Sequence, residues 1–439
     1  MDAGTFIIRL RDGDLRAPEI TSRLPWLAAR TLTEFVQLAD LPSPRGGVVG
    51  DPLVRQASTS FHQRAGTLTQ ALESSIKRIA AGRVVKLVHQ PNLFAYTKLI
   101  GQFAAAALLS ERLHGATPVY GFIDYDVVSN ERFRRALLPD VTAAKGTVRI
   151  RLPAAVMKHR TQIASRSPPP DHEWAIRVGQ EISRIVVGYR NAGIQVIGED
   201  IEGELCHDLI MATERATNVA DCCAILLSRF INGRLGLNMP FVPMSVLWEA
   251  AATDHAYLAC DPAVGKALKS ARLLLASNGV EATSRDPPGL PWWGICRCGS
   301  RVALDVDGSF RDPCSHCGRS EREAPGGAKA QSIPSSAPTI LLHNLMNMSG
   351  FGFGSGVSHL GSADHILLHS LAMSLAGLNP LPQWLWRCVG PFHSTLEAHH
   401  VDIHRESLRP VLSGDAGFPF LDACLGPTGF MAAMRSQVF

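Results

Sequence analysis

The chain has 439 residues, a net charge of +4 with both signs mixed along its length, 46% hydrophobic residues and 19% charged ones. That length exceeds one ordinary core, so it implies two or three domains or one heavily inserted domain. The balanced charge offers no basic stripe for nucleic acid, and no apolar run approaches the roughly 18 residues of a membrane helix.

The N-terminal MDAGTFIIRLRDGD lacks the basic region and long apolar region of a secretory signal. Cys206, Cys222, Cys223, Cys260, Cys388 and Cys424 are scattered, mostly among apolar neighbours, and read as buried thiols of a reducing cytoplasm. The expectation is a cytoplasmic protein acting on small molecules, without membrane or nucleic acid. Its oligomeric state is left open.

In chain order, Phe6–Leu10 reads as a short strand and Trp26–Leu38 as an amphipathic segment. Residues 41–51 are loop-like, and 54–81 are helical up to Ala81-Gly82. The apolar run Val84–Val88 then breaks at His89-Gln90-Pro91-Asn92. A helix-patterned segment, Tyr96–His114, and a second apolar run, TPVYGFIDYD, follow. Strand, polar turn, helix, strand is the opening unit of a parallel α/β sheet, and such sheets bind ligands at their carboxyl edge. Asp124 and Asp126 leave the second strand at that edge, where they could hold a hydroxyl, an amine or a metal; the alternative is that one caps a helix.

Further on, Thr147–Leu152 reads as an edge strand, Trp174–Arg190 as a helix, GIQVIG (193–198) as a short strand and 203–235 as helical. MPFVPMSVLWEAA (239–251) suggests a strand breaking at Pro243 and a helix capped by Ser245.

Cys296-x-Cys298-Gly and Cys314-x-x-Cys317-Gly are fifteen residues apart. Between them RVALDVDGSFRDP alternates and turns at Asp307-Gly308, which predicts a β-hairpin. Two Cys pairs, each followed by glycine and joined by a hairpin, match a closed tetrahedral zinc site. Four thiolates are the simplest ligand set, although His316 could replace one. A closed site has no open position for water, so this zinc would be structural. Residues 320–338 are linker-like.

The segment 339–378 repeats the opening pattern: an apolar run, a loop with Gly350, Gly352, Gly354, Gly356 and Gly361, then a helix around Ala363–Leu375. Glycines let backbone amides approach a phosphate, and Ser362 and Asp364 stand where the helix begins. A glycine-rich turn without a ligand is the alternative. His359 lies in this loop, and His365 and His369 share a helix face. PQWLWRCVG (382–390) reads as a final strand, and His399, His400 and His404 as surface residues.

HQPNLFAYTKL with its helix and VYGFIDYD resembles the first βαβ unit of the bacillithiol-synthesis cysteine-adding (BshC-like) enzymes. GFGSGVSHLGSADH with PLPQWLWR resembles the C-terminal core of that family. The HQPN tetrapeptide is also shared with the shorter WbqC-like family. The first resemblance covers two blocks of the chain. Tyr125 stands where that family has a histidine, Asn92 where it has a glycine, and no KMSKS-like motif is present.

The resemblance implies a HUP-type Rossmann-like core related to class I aminoacyl-tRNA synthetases, with His89-Gln90-Pro91-Asn92 in the place of their HIGH motif. It further implies an ATP-dependent ligase, with Mg²⁺ accompanying the nucleotide, that joins an amino acid (cysteine in the family) to an amine-bearing acceptor. His89 and Asn92 would contact phosphate, and Asp124 and Asp126 would anchor an amine. Gln90, Gly354, Ser355, Gly356, His359, Ser362 and Asp364 would hold the nucleotide. Another nucleotide-using transferase, a tRNA-modifying enzyme and a non-catalytic HUP-type binding protein are the alternatives.

The expected architecture is α/β, a Rossmann-like (HUP-type) parallel sheet split by a largely helical insertion that carries a zinc ribbon. An N-terminal helical or extended region spans 1–80. The first half of the core spans 81–160, and its continuation with the helical insertion 161–290. The zinc ribbon covers 291–320, the linker 321–338, the second half of the core 339–400 and a C-terminal segment 401–439.

Overall fold

The computed structural model describes residues 1–39, 51–81, 83–113, 116–144, 146–251, 262–281, 292–303, 309–320, 332–334, 353–359, 363–377, 380–386, 429 and 431–432. The fold is mixed α/β, and its centre is a five-stranded parallel sheet. In chain order the sheet strands are β1 (Arg83–His89), β2 (Thr117–Phe122), β5 (Phe241–Pro243), β9 (Phe353–His359) and β10 (Gln383–Trp386), and in space they run β10-β9-β1-β2-β5. The first strand in the chain is therefore the middle one. Val84 pairs with Thr117 on one side and with Gly354 on the other. This is the doubly wound order 3-2-1-4-5, which reverses direction between β1 and β9.

The opening unit forms as its sequence predicts. Helix α5 (Thr97–Arg112) packs on β1, β2 and β9. Its Leu99, Ile100, Phe103 and Ala106 are buried with Val85, Leu87, Tyr120 and Phe241 on one sheet face. The opposite face carries Val84, Val119 and Val242, covered by Met244 and Leu247 of α9 (Met244–Ala251), Val54 of α3 (Asp51–Ala65) and Ile79. Lys86 is buried on β1 among these apolar residues, and burial pushes its ammonium down to about 7.

Several local readings are corrected. Phe6–Leu10 belongs to helix α1 (Ala3–Asp12), not a strand. Ala3, Phe6, Ile7 and Leu10 are buried at helical spacing, the Asp2 side chain accepts from Thr5 N–H, and Gly13 closes the helix at φ 83°. Residues 193–198 form no strand: Gly193 and Gly198 are left-handed, and Ile194 N–H bonds back to the Tyr189 carbonyl at the end of α6 (His172–Asn191). The Thr147–Leu152 strand exists as β4 (Thr147–Arg151), but it pairs antiparallel with β3 (Arg135–Pro139), apart from the main sheet.

The 203–235 pattern divides into α7 (Ile201–Arg215), α8 (Val219–Ser228) and a π-helical turn, Arg229–Arg234. Within the linker-like stretch, β8 (Ser332–Pro334) joins β6 (Trp292–Ile295) and β7 (Arg301–Ala303) in a three-stranded sheet. Helix α11 (Ala363–Leu375) matches its predicted span. The apolar run before Gly350, the Asp307-Gly308 turn and His399, His400 and His404 lie outside the described residues, as does most of 401–439. Among the described residues no helix is long and apolar enough to cross a membrane.

A buried histidine anchors β5. His62 on α3 accepts at Nε2 from Phe241 N–H at 2.9 Å, while Nδ1 faces the Thr67 hydroxyl at 2.8 Å. Burial pushes this imidazole down to about 3, so it stays neutral in the fold. The unfolded chain takes up a proton below about 6.5 that the fold refuses, so this residue's contribution to stability falls as pH drops from 6.5 toward 3, by up to about 1.4 kcal/mol per pH unit. Denaturant unfolding across that range is expected to lose part of its acid sensitivity in His62→Gln.

Candidate functional site

β1 and β9 run side by side through the pair Lys86 and Gly356, then end at His89 and His359. His89 is level with Phe122 at the end of β2, and His359 with Trp386 at the end of β10. The predicted HQPN turn thus opens at the carboxyl edge, beside the crevice where the strand order reverses.

The turn is internally ordered. His89 Nδ1 lies 3.0 Å from the Gln90 carbonyl oxygen, an acceptor only, so Nδ1 carries the proton. Nε2 lies 3.0 Å from the Tyr96 hydroxyl, which donates to it when the ring is neutral. The Tyr120 hydroxyl holds the His89 carbonyl at 2.9 Å, and the Arg132 guanidinium stacks 4.4 Å from the centre of the Tyr96 ring. Tyr96 is also the N-cap of α5, yet it supplies no side-chain cap, and the first turn of that helix has no acidic residue. The helix therefore presents its positive end to the same edge. Asn92 is 3% exposed, and its Oδ1 is buried with no hydrogen-bond partner among the described residues, a state that costs about 1–3 kcal/mol if nothing fills it.

Both predicted carboxylates are buried and engaged by the protein. Asp124 accepts from Ser245 N–H (3.0 Å) and Ser245 Oγ (2.6 Å), so it caps the first turn of α9. Burial raises its carboxyl above the ordinary range, and the Ser245 hydrogen bonds oppose the rise. Asp126 accepts four hydrogen bonds: from Gln90 Nε2 (3.0 Å), Asn130 Nδ2 (2.7 Å), Val127 N–H (2.8 Å) and Arg301 Nη1 (3.2 Å). Gln90 thus faces Asp126. Tyr96, Ser245 and Arg301 were not singled out by sequence reading as site residues: Ser245 and Arg301 reach the edge from elements that only folding brings there, whereas Tyr96 stands seven residues past His89 in the same unit.

The glycine-rich reading changes. Gly354, Ser355 and Gly356 are not a phosphate-cradling loop but part of β9, paired with Val84, Val85 and Lys86. Gly354 and Gly356, at alternate positions, leave one face of that strand without side chains over those two residues, and the strand is held between β1 and β10. Ser362 lies outside the described residues. Asp364 binds elsewhere, its Oδ1 accepting from Ala3 N–H at 3.3 Å. His365 is exposed and His369 buried, and neither belongs to a metal-ligand cluster among the described residues.

Cys296, Cys298, Cys314 and Cys317 do converge. Their sulfurs lie within 4.8 Å of one another, with Cys296–Cys317 at 3.4 Å and Cys298–Cys314 at 3.6 Å. A zinc ion about 2.3 Å from four sulfurs would hold them about 3.8 Å apart. Gly299 (φ 83°) and Gly318 (φ 72°) close the two knuckles with N–H bonds to the Cys296 and Cys314 carbonyls. Burial opposes ionisation of Cys314, but the backbone N–H groups of Cys317 and His316 and the adjacent thiols bring it down to about 7. The four cysteines can hold a metal ion such as zinc.

Two cavities, of about 440 and 490 Å³, lie elsewhere. The first lies beside Asp208, Arg229 and Arg234, and the second beside Ala107 of α5 and Pro118 at the start of β2. Comparison with protein families and with curated proteins finds no family model that matches the chain and no curated protein similar to it.

The cap geometry separates two roles for Asp124. Asp124→Ala is expected to lower unfolding stability by about 1–2 kcal/mol. Asp124→Asn keeps an acceptor for Ser245 and removes a buried charge, so denaturant unfolding should stay within about 0.5 kcal/mol of the parent.

Proposed function

We propose that the protein is an ATP-dependent ligase on a HUP-type core, activating the carboxylate of an amino acid and transferring it to an amine-bearing small molecule. The observation that carries the reading is the buried Asn92 Oδ1, which has no partner among the described residues, at the carboxyl edge that also takes the N-terminal end of α5. The resemblance to the cysteine-adding enzymes of bacillithiol synthesis supplies the reaction class and makes cysteine the first amino acid to test.

The chemistry needs a leaving group on a carboxylate. A carboxylate oxygen attacks a phosphorus of ATP, forming a C–O–P bond and expelling pyrophosphate or ADP according to which phosphorus is attacked. The amine nitrogen then forms the C–N bond, the acyl C–O bond breaks and the phosphate group departs with that oxygen. The chain's part is orientation and charge stabilisation. The N-terminal end of α5 would face phosphate oxygens with its first two N–H groups, Leu99 N–H being held by the Tyr96 carbonyl, and Asn92 would meet a ligand donor with Oδ1 and a phosphate with its amide nitrogen.

His89, with its proton fixed on Nδ1, can offer Nε2–H to phosphate only after protonation and release of Tyr96. Asp126 and Asp124 act mainly by holding Gln90 and α9 in place, an emphasis that differs from direct anchoring of an amine. Zinc in the four-cysteine module is structural, and the protein works in the cytoplasm.

The test is equilibrium ATP binding together with amino-acid-dependent release of AMP or ADP by purified protein with Mg²⁺. Asn92→Ala and His89→Ala are each expected to weaken ATP binding about tenfold, with the folded state intact by circular dichroism. Absence of both ATP binding and turnover across the amino-acid panel rejects the ligase reading. Independently, Cys314→Ser is expected to lose bound zinc by elemental analysis, and full retention refutes this ligand set.

A further inference from the structure

The four-cysteine module does not hang free of the sheet. Beyond the first knuckle, Gly299 and Ser300 run along residues 161–166. Ile163 N–H donates to the Gly299 carbonyl at 2.9 Å, Ser300 forms an antiparallel bridge with Gln162, and Ser300 Oγ lies 3.3 Å from Thr161 Oγ1. The other side of the same segment binds the end of the second sheet strand. Val128 N–H donates to the Gln162 carbonyl (3.0 Å), Ala164 N–H to the Asp126 carbonyl (2.8 Å) and Ser165 N–H to the Asp124 carbonyl (2.9 Å). Residues 161–166 are thus a shared layer between the module and the acidic strand end.

A side chain makes a second connection. Arg301 leaves the knuckle at the start of β7, is mostly buried, and reaches Asp126 Oδ1 with Nη1 at 3.2 Å. Asp126 in turn holds Gln90 of the HQPN turn. Backbone and side chain together form a continuous path from the cysteines to the carboxyl edge of β1.

We infer that the metal module is a wall of the sheet-edge site, in which metal binding by the four cysteines fixes Arg301 on Asp126 and thereby orders the strand end 124–128. Four thiols this close without a cation have little to hold them together, and once they separate the Gly299–Arg301 segment loses its anchor on one side. Arg301 is then a positioning residue, acting through Asp126 and Gln90. The inference needs the metal site but not the ligase reading, because its test reads neither nucleotide nor turnover.

The experiment uses the full chain, reduced, stripped with a chelator and reloaded with zinc, with amide exchange resolved to single residues. Without metal, the amides of Ile163, Ala164, Ser165 and Val128 are expected to exchange roughly tenfold faster, and reloading should restore them. In the zinc-loaded protein, Arg301→Met should accelerate Ala164 and Val128, and Arg301→Lys should rescue them in large part. Acceleration of Ile163 alone overturns the inference, since the metal would then hold only its own knuckle. So does a protein that takes up no metal, or an Arg301→Met variant whose Ala164 and Val128 exchange like the parent.

Discussion

A strand with parallel neighbours on both sides cannot be reached by hairpins; each neighbour must return by a crossover. In this chain β1 is that strand, and its pairing with both β2 and β9 constrains everything else. Returning chains run above and below the sheet, so helices cover both faces and only the strand ends stay open. The crossover from β1 through α5 puts the HQPN turn at the carboxyl edge, and the crossover into β9 starts a second half on the far side. The crevice between the halves follows from the strand order, before any side chain is considered.

The edge is built by satisfying buried charge. A carboxylate removed from water without partners is strongly unfavourable, and Asp124 and Asp126 are both buried just past β2. Asp124 is answered from far along the chain by Ser245 on α9, and Asp126 locally by Asn130 and from farther away by Gln90 and Arg301. The backbone carbonyls of both aspartates are answered by Ala164 and Ser165. The acidic pair therefore gathers α9, residues 161–166 and the metal module around one strand end. Asn92 differs from the two carboxylates in keeping a buried oxygen that nothing in the described protein answers.

Much of the scaffold was legible in the sequence because it depends on local rules. The apolar run with its abrupt polar turn marked β1, the 3.6-residue spacing marked α5, and the Cys-Gly pairs marked the metal cluster. What failed depended on partners far along the chain. FGSGVSH looks like a loop by composition, and only the strands on either side of it make it a strand. Phe6–Leu10 was misread for the opposite reason: its helical spacing and the Asp2 and Gly13 caps were present, but the apolar cluster FII looked strand-like. Asp124 and Asp126 do follow the end of β2, as the strand pattern implies, whereas their engagement by Ser245 and Arg301 could not be read from spacing. The candidate site was thus visible as positions more than as interactions.

The central position of β1 has a consequence for how the chain is made. Synthesis delivers β1, β2 and β5 early, but the strand that covers the other edge of β1 begins only at Phe353. While the intervening residues are translated, the middle of the future sheet carries an unpaired, apolar backbone edge, the kind of surface that pairs with whatever strand it meets. A chain interrupted before β9 would leave that edge open at its very centre.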